Sequence, residues 1–189
     1  MNPLHEYFQD HQKILDQFDR ATLTAILEIL EKARVEQRHI FVFGNGGSAS
    51  TASHFAADLG KNTRRAHLPH FRVTCLNDNM ALFSAFGNDE GYDSVFSEPL
   101  RSQARAGDVA IAISASGNSP NVVRAIQTAN EMGLTTIGLA GFTGGKLQAL
   151  AQHCIVISVH SYEHVEDLHL MVCHALVASI KQKYPALPS

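Results

Sequence analysis

The feature that most constrains this chain is the alternation of short apolar runs with stretches of helical periodicity. Five runs rich in β-branched and aromatic residues have the composition of strands that are buried on both faces. Because helical stretches separate these runs, each strand is expected to pair with a parallel neighbour through a helical crossover. The pattern predicts an α/β fold, a doubly wound, five-stranded parallel sheet between two layers of helices. The predicted strands are 39–43, 71–76, 108–113, 135–140 and 154–159, and the predicted helices are 49–59, 81–86, 95–104, 121–132, 146–152 and 166–182.

The N-terminal segment lies outside this alternation. Between residues 4 and 35, apolar residues recur every three or four positions, with a break near 19–21, which predicts extra N-terminal helices. These helices have no strand of their own, so their apolar stripe is expected to pack on the sheet, on another subunit or on both. The 189 residues are expected to form one domain, with a helical segment at 1–36 and an α/β core at 37–189.

Composition excludes several classes of protein. Lys and Arg total 15 against 18 Asp and Glu, a formal charge of −3, so the chain lacks the cation excess of a nucleic-acid-binding protein. No segment approaches the roughly 18 apolar residues of a membrane span, and the N-terminus lacks a signal-peptide pattern, so a cytoplasmic protein without membrane contact is expected. Cys75, Cys154 and Cys173 stand singly, which predicts buried thiols in a reducing compartment.

Two loops rich in glycine and serine follow the first and third predicted strands, at 44–48 and 114–120. Both lie where a helix is predicted to begin, and free N–H groups at a helix start attract anions. The first loop lacks the Lys of a P-loop. Two alternatives remain open: both loops are tight turns with serine caps, or Gly44-x-Gly46-x-x-Ala49 is a dinucleotide fingerprint with Asp78 as ribose partner.

The two loops together resemble those of the SIS (sugar isomerase) family of phosphosugar-binding domains, whose third-strand loop reads S-x-S-G-x-S. Within that family, the chain most resembles the phosphoheptose isomerases. The resemblance implies a sheet of flavodoxin or Rossmann type and spans most of the chain in matching order. It is carried by the segments 44–48, 54–58, 87–92, 114–119 and 166–174.

The resemblance also implies which residues bind the substrate, a phosphorylated sugar. Serine hydroxyls and N–H groups at helix starts are good phosphate donors even without a cation, so the residues agree with this implication. Asn88 and Asp89 have an alternative interpretation as turn residues. The implied phosphate-loop residues are Ser48, Ser114, Ala115, Ser116 and Ser119, and the implied sugar contacts are Asn45, Gly46, Gly47, Asn88, Asp89 and Glu166.

Histidines and carboxylates form a second constellation. His54 and Asp58 are four residues apart in a predicted helix and so share one face, although such a pair is more often solvated. The resemblance implies that His54, Asp58, Glu166 and His174 bind Zn²⁺ or another divalent cation. It also implies acid–base roles for Asp58, Glu166 and His174.

This chain departs from the family at two of these positions. Asp58 stands where the family usually has Glu, and Glu166 stands where it usually has Gln. We interpret the two changes as compensatory, with Glu166 taking over ligation or the base role that the shorter Asp58 performs less well.

The resemblance implies a metal-dependent aldose–ketose isomerase that converts sedoheptulose 7-phosphate to D-glycero-D-manno-heptose 7-phosphate through an enediol, and a homotetramer. The alternative is a non-catalytic phosphosugar-binding module of the same family, of the kind that associates with a replication initiator. A basic cluster follows the His54 helix and is either a solvated loop or a border of the site. Its members are Lys61, Arg64, Arg65, His67 and His70.

Overall fold

The computed structural model describes residues 2–185 and contains the predicted parallel sheet between two layers of helices. The strand order is β2-β1-β3-β4-β5, so the chain reverses its direction of travel across the sheet after β2. The strands are β1 (His39–Gly44), β2 (Arg72–Cys75), β3 (Val109–Ser114), β4 (Thr135–Gly141) and β5 (His153–Ile157). The helices are α1 (Pro3–Asp16), α2 (Arg20–Val35), α3 (Gly47–Ala57), α4 (Met80–Asp89), α5 (Ser97–Gln103), α6 (Pro120–Glu131), α7 (Gly145–Leu150) and α8 (Tyr162–Lys183).

The sheet has an apolar core on each face because successive strand residues point to opposite sides. Val42 and Ile111 pack on one side against α2, α3 and α8. Phe41 and Ala110 pack on the other side against α5, α6 and α7. All residues of the two strands except the half-buried His39 are buried, which explains why their sequences read as continuous apolar runs rather than alternating ones.

The predicted break in the N-terminal helices is confirmed and lies between Asp16 and Arg20. Asp19 caps α2, since its carboxylate accepts the Thr22 N–H at 2.9 Å. Within residues 2–185, none of the helices has the length and apolar character that a membrane span requires.

Helix α1 has no buried residue and is held to α8 by polar and aromatic contacts. The Tyr7 hydroxyl donates to Asp167 at 2.6 Å, and the ring of His11 stacks on that of His164. The predicted apolar stripe of α1 therefore packs on the core only at its C-terminal end, where Ile14 and Leu15 are partly buried, while Phe8 near its start is exposed.

The thiols match the sequence prediction in being free, with Cys75 and Cys173 buried and Cys154 half-buried. Burial raises the pKa of Cys75 and Cys173 to about 12, and that of Cys154 to about 11. All three are therefore protonated and unreactive at neutral pH.

Three boundaries differ from the sequence prediction near the candidate site residues. Helix α3 continues beyond Ala57 as a π-helical turn, Asp58–Asn62, so Asp58 lies at a junction between two helical geometries. Helix α4 runs to Asp89, so the interpretation of Asn88 and Asp89 as turn residues is wrong. Helix α8 begins at Tyr162, earlier than predicted, because Ser161 caps it.

We predict that His169 makes stability depend on pH. The imidazole is buried on α8 with its Nε2 3.1 Å from the Ala140 carbonyl, and burial lowers its pKa from 6.5 to about 4. Between these values the unfolded chain binds a proton that the folded chain does not, so stability falls as pH falls below 6.5. From pH 7 to pH 5, this histidine should remove about 2 kcal/mol from the free energy of unfolding.

Urea denaturation of the wild type and His169→Gln at both pH values measures this effect. Gln keeps a donor for the Ala140 carbonyl but does not titrate. The free energy of unfolding of His169→Gln should therefore fall by about 2 kcal/mol less than that of the wild type between pH 7 and pH 5. Equal pH dependence in the two proteins would show that His169 is not the source.

Candidate active site

The two glycine- and serine-rich loops meet at the carboxyl edge of the sheet. Strands β1 and β3 are hydrogen-bonded neighbours, but the helices that follow them, α3 and α6, lie on opposite faces. Such a topological switch point opens a crevice where parallel sheets bind ligands. A cavity of about 140 Å³ lies there. Its lining residues are Asn45, Ser48, Ile113, Ser114, Ala115, Ser116, Ser119, Tyr162 and Glu166. We call this cavity the serine pocket.

The serine pocket is built to accept an anion without a cation. Helix α3 begins after Gly46, which has no side chain to cap it, and the Ser119 side chain makes no capping bond at the start of α6. At the start of α6, Pro120 has no N–H and the Val122 N–H donates to Asn121 Oδ1, so it is chiefly the first turn of α3 that offers N–H groups to a ligand. The Ser119 hydroxyl lies 3.3 Å from that of Ser114, so two hydroxyls face the same space. Among the described residues that line the pocket, there is no Lys or Arg.

Asn45 is fixed by residues that the sequence analysis did not assign to the site. Its amide exchanges two hydrogen bonds of 2.9 Å with the amide of Asn121, a buried side chain at the start of α6. The Tyr92 hydroxyl donates to the same Asn45 oxygen at 3.0 Å. The position of Asn121 directly after Ser119-Pro120 was the available sequence signal for its role.

A second loop, residues 141–145, supports the serine loop from behind and was also missed. The Gly141 N–H donates to the Ala115 carbonyl, and the Leu147 N–H donates to the Gly117 carbonyl, both at 2.9 Å. The contact is so close that a Cβ on Gly117 would lie 2.7 Å from the Gly144 carbonyl carbon. The consecutive glycines at 144 and 145 were the only sequence sign of this contact.

His54, Asp58 and His174 come together on the outer surface of α3 and α8. The two Nε2 atoms lie 3.3 Å apart, and Asp58 Oδ2 lies 3.5 Å from His54 and 3.8 Å from His174. The imidazoles are about half exposed, whereas the carboxylate is largely buried. Asn62 donates to the other Asp58 oxygen at 2.6 Å and so orients it.

This cluster, which we call the His–Asp–His cluster, has the donor set and spacing of a divalent metal site. Zinc bonds of about 2.0–2.1 Å in a tetrahedron place neighbouring ligand atoms about 3.3 Å apart. The three separations of 3.3, 3.5 and 3.8 Å are close to that value. The hydrogen bond from Asn62 to the ligating carboxylate is the kind of outer contact that metal sites use to hold their ligands.

Glu166 lies in the serine pocket and is not a member of the His–Asp–His cluster. Its carboxylate rests against Gly47, where an added Cβ would lie 2.6 Å from Glu166 Cδ. A carboxylate at the uncapped start of α3 is favoured by the helix dipole. The side chain predicted as a metal ligand and a substrate contact thus lies in the serine pocket, apart from the His–Asp–His cluster.

The remaining predicted residues lie away from the serine pocket. Asn88 and Asp89 are exposed on the last turn of α4, bonded to each other at 2.7 Å. Asp78 does not line the pocket. In the basic cluster, Arg65 donates to the carbonyls of Tyr184 and Lys181, which satisfies the end of α8. The other members, Lys61, Arg64, His67 and His70, are exposed.

Known proteins match both the sequence and the fold. A family model described as "SIS domain" matches residues 6–141. Phosphoheptose isomerase 1 of Campylobacter jejuni is 32% identical over 97% of this chain and 100% of its own length. The phosphoheptose isomerase of Aliarcobacter butzleri is 40% identical over 82% of this chain and 84% of its own. A solved phosphoheptose isomerase from Neisseria gonorrhoeae superposes with a TM-score of 0.82 at 30% identity, covering 94% of this chain and 92% of that one.

The strand order, the paired helix starts and the serine pocket between them are features of α/β proteins with a ligand crevice at a switch point. With the sequence matches, the chain belongs to the SIS domain family and, within it, to the phosphoheptose isomerases. The resemblance recognised in the sequence is therefore confirmed.

We predict that Gly117→Ala disrupts the serine loop. Gly117 has φ +64°, which L residues disfavour, and its Cβ would run into the backbone of Gly144. Gly133→Ala is a matched control, since Gly133 has φ +76° but its Cβ would meet only Ala106 at an ordinary 3.5 Å. Gly117→Ala should lower the free energy of unfolding by about 1–3 kcal/mol more than the control.

Urea denaturation of the two variants compares the losses directly. Binding of inorganic phosphate should weaken in Gly117→Ala and stay at the wild-type level in Gly133→Ala. If Gly117→Ala and Gly133→Ala lower the free energy of unfolding equally, the close contact between Gly117 and Gly144 does not contribute to stability and the prediction is wrong.

Proposed function

We propose that this chain is a metal-dependent isomerase that converts sedoheptulose 7-phosphate to D-glycero-D-manno-heptose 7-phosphate. The observation that carries the proposal is that α3 bears both parts of the site. Its first turn opens into the serine pocket, and its last turn presents His54, followed by Asp58. Six residues of helix separate Ser48 from His54, a rise of about 9 Å. An extended phosphosugar can span that distance, with its phosphate at the serine pocket and its carbonyl end toward the His–Asp–His cluster.

Membership of the family supports the same substrate class. The relatives named phosphoheptose isomerase from Campylobacter jejuni and Aliarcobacter butzleri cover 97% and 82% of the chain. The segment 114–119 also reads as the S-x-S-G-x-S loop by which the chain resembles the family. A single domain spanning residues 1–189, a homotetramer and a cytoplasmic location belong to the same proposal and rest on the resemblance.

The residues of the cluster suit a divalent metal, and we propose Zn²⁺ held by His54, Asp58 and His174. Three protein ligands leave a fourth position open, as catalytic zinc sites do. When bound, zinc supplies a Lewis acid that stabilises negative charge developing on the sugar oxygens. The role of Glu166 as a fourth ligand stays a prediction, since its carboxylate would have to leave Gly47 to reach the cluster.

The chemistry requires a proton to move between adjacent carbons through an enediol. In this proposal a carboxylate, Asp58 or Glu166, removes the proton from one carbon, and His174 exchanges protons with the oxygens or with the neighbouring carbon. The serine hydroxyls and helix-start N–H groups hold the phosphate, and this remote binding energy orients the reacting end.

The direct test is incubation of the zinc-loaded protein with sedoheptulose 7-phosphate and measurement of aldose formation. We expect turnover in the wild type and a loss of about 10²–10⁴-fold in kcat for His174→Ala, because an acid–base group is removed. Binding of the phosphosugar, measured by calorimetry, should persist in that variant because the serine pocket is intact. Binding without turnover in the zinc-loaded wild type would favour the non-catalytic module instead.

Because Asp58 lies in the His–Asp–His cluster and Glu166 in the serine pocket, we predict that Asp58→Asn and Glu166→Gln differ in zinc content. Asp58→Asn should lose zinc, measured by elemental analysis after dialysis, because it removes a charged ligand of the cluster. Glu166→Gln should keep its zinc, because its carboxylate lies in the serine pocket, but it should lose turnover if Glu166 has taken over the base role. Unchanged turnover in Glu166→Gln would refute the compensatory interpretation.

A further inference from the structure

Tyr162 is the one aromatic side chain among the described residues that line the serine pocket. It occupies the first position of α8, one turn before Glu166, and the residue is 57% exposed. The rest of the lining consists of small polar groups, one carboxylate and the edges of Ile113 and Ala115. Tyr162 therefore differs from the other lining residues in offering a large, exposed aromatic surface together with a hydroxyl group.

The ring of Tyr162 is held in place by an unusual neighbour, Phe142. The Tyr162 ring packs edge-on against Phe142 at a centroid distance of 5.0 Å, and the Phe142 ring is also stacked on His160 at 5.2 Å. Phe142 itself has φ +55°, a backbone conformation that bulky residues rarely adopt. Strain of this kind persists only where the surroundings enforce it, and it concentrates at ligand sites.

The same segment is tied to the phosphate loop. Phe142 directly follows Gly141, whose N–H donates to the Ala115 carbonyl at 2.9 Å. The aromatic cluster of Tyr162, Phe142 and His160 is therefore linked to the serine loop through the hydrogen bond from Gly141 to Ala115. The hydrogen bond from Gly141 to Ala115 fixes Phe142 relative to the serine loop, and the contact with Phe142 places the Tyr162 ring at the same edge of the pocket.

We propose that Tyr162 is a substrate-binding residue that closes the phosphate end of the serine pocket; this inference rests on the proposed function. Its hydroxyl donates a hydrogen bond to a phosphate oxygen, in a pocket that lacks a cation. Its ring packs on the C–H face of the carbon that bears the phosphate. Tyr162 therefore selects a phosphate ester of a carbon chain over free phosphate, and Phe142 is the positioning residue that holds it.

Calorimetry with two probes, inorganic phosphate and sedoheptulose 7-phosphate, separates the two contributions of Tyr162. The His174→Ala background keeps the phosphosugar from being converted during the titration. Tyr162→Phe removes only the hydroxyl and should weaken both probes by about tenfold, as expected for a hydrogen bond to a charged group. Tyr162→Ala also removes the ring and should weaken the phosphosugar by about a further tenfold, with little further change for phosphate.

Two variants control for indirect effects. Tyr184→Phe makes the same chemical change just beyond the far end of α8 and should bind both probes like the wild type. Phe142→Leu keeps an apolar residue but removes the stack; with His174 intact, it should raise KM several-fold and leave kcat unchanged.

Unchanged affinity for both probes in Tyr162→Ala would overturn the inference, as would an equal loss for phosphate and phosphosugar on removal of the ring. Failure of the proposed function is distinguishable: the wild type would then bind the phosphosugar without converting it, while the dependence of binding on Tyr162 would remain. Failure of the wild type to bind either probe would overturn both.

Discussion

The site depends on the parallel pairing of β1 with β3. The register Gly44↔Ile113 brings the ends of these strands together, although the two residues are 69 positions apart in the sequence. The approach is so close that a Cβ on Gly44 would lie 2.7 Å from the Ile113 carbonyl oxygen. Glycine at this position allows the first turn of α3 to sit beside the serine loop. Because α3 and α6 leave the two strands toward opposite faces, their starts converge on one crevice.

Helix α3 then relates the two halves of the candidate site. Its uncapped start faces the serine pocket, and its end carries His54 and Asp58 to His174 on α8. The packing of α8 along α3, held by buried residues such as Phe55 and Cys173, fixes both Glu166 at one end and His174 further along. One helix pair therefore sets the distance between anion binding and acid–base chemistry, which is what a phosphosugar isomerase requires.

The strands and the two Gly–Ser loops could be predicted from short stretches of the sequence. Apolar runs predicted all five strands, and Gly–Ser loops at predicted helix starts located the serine pocket, because burial and capping act over a few residues. The resemblance to the family supplied His54, Asp58 and His174, which the spacing of His54 and Asp58 alone left ambiguous. The strand order could not be read from the apolar runs, since all five have the same composition.

The rest of the site could not be predicted because it arises from contacts between distant segments. The Glu166 carboxylate contacts Gly47, and the Gly141 N–H donates to the Ala115 carbonyl. Each contact joins segments that share no sequence pattern. Tyr162 precedes the helix that the sequence predicts from 166, and the cap by Ser161 moves the start of that helix to include it. Phe142 carries no sequence sign of its positive φ, because tertiary packing imposes that conformation.

The proposed function requires one ligand to span the serine pocket and the His–Asp–His cluster. A crystal structure of the protein with zinc and sedoheptulose 7-phosphate, collected at the zinc edge, tests it directly. We predict a phosphate within hydrogen-bond distance of the Ser114, Ser116 and Ser119 hydroxyls, and an anomalous zinc peak bonded to His54, Asp58 and His174. A phosphate bound outside the serine pocket, or zinc bound away from these three residues, would contradict it.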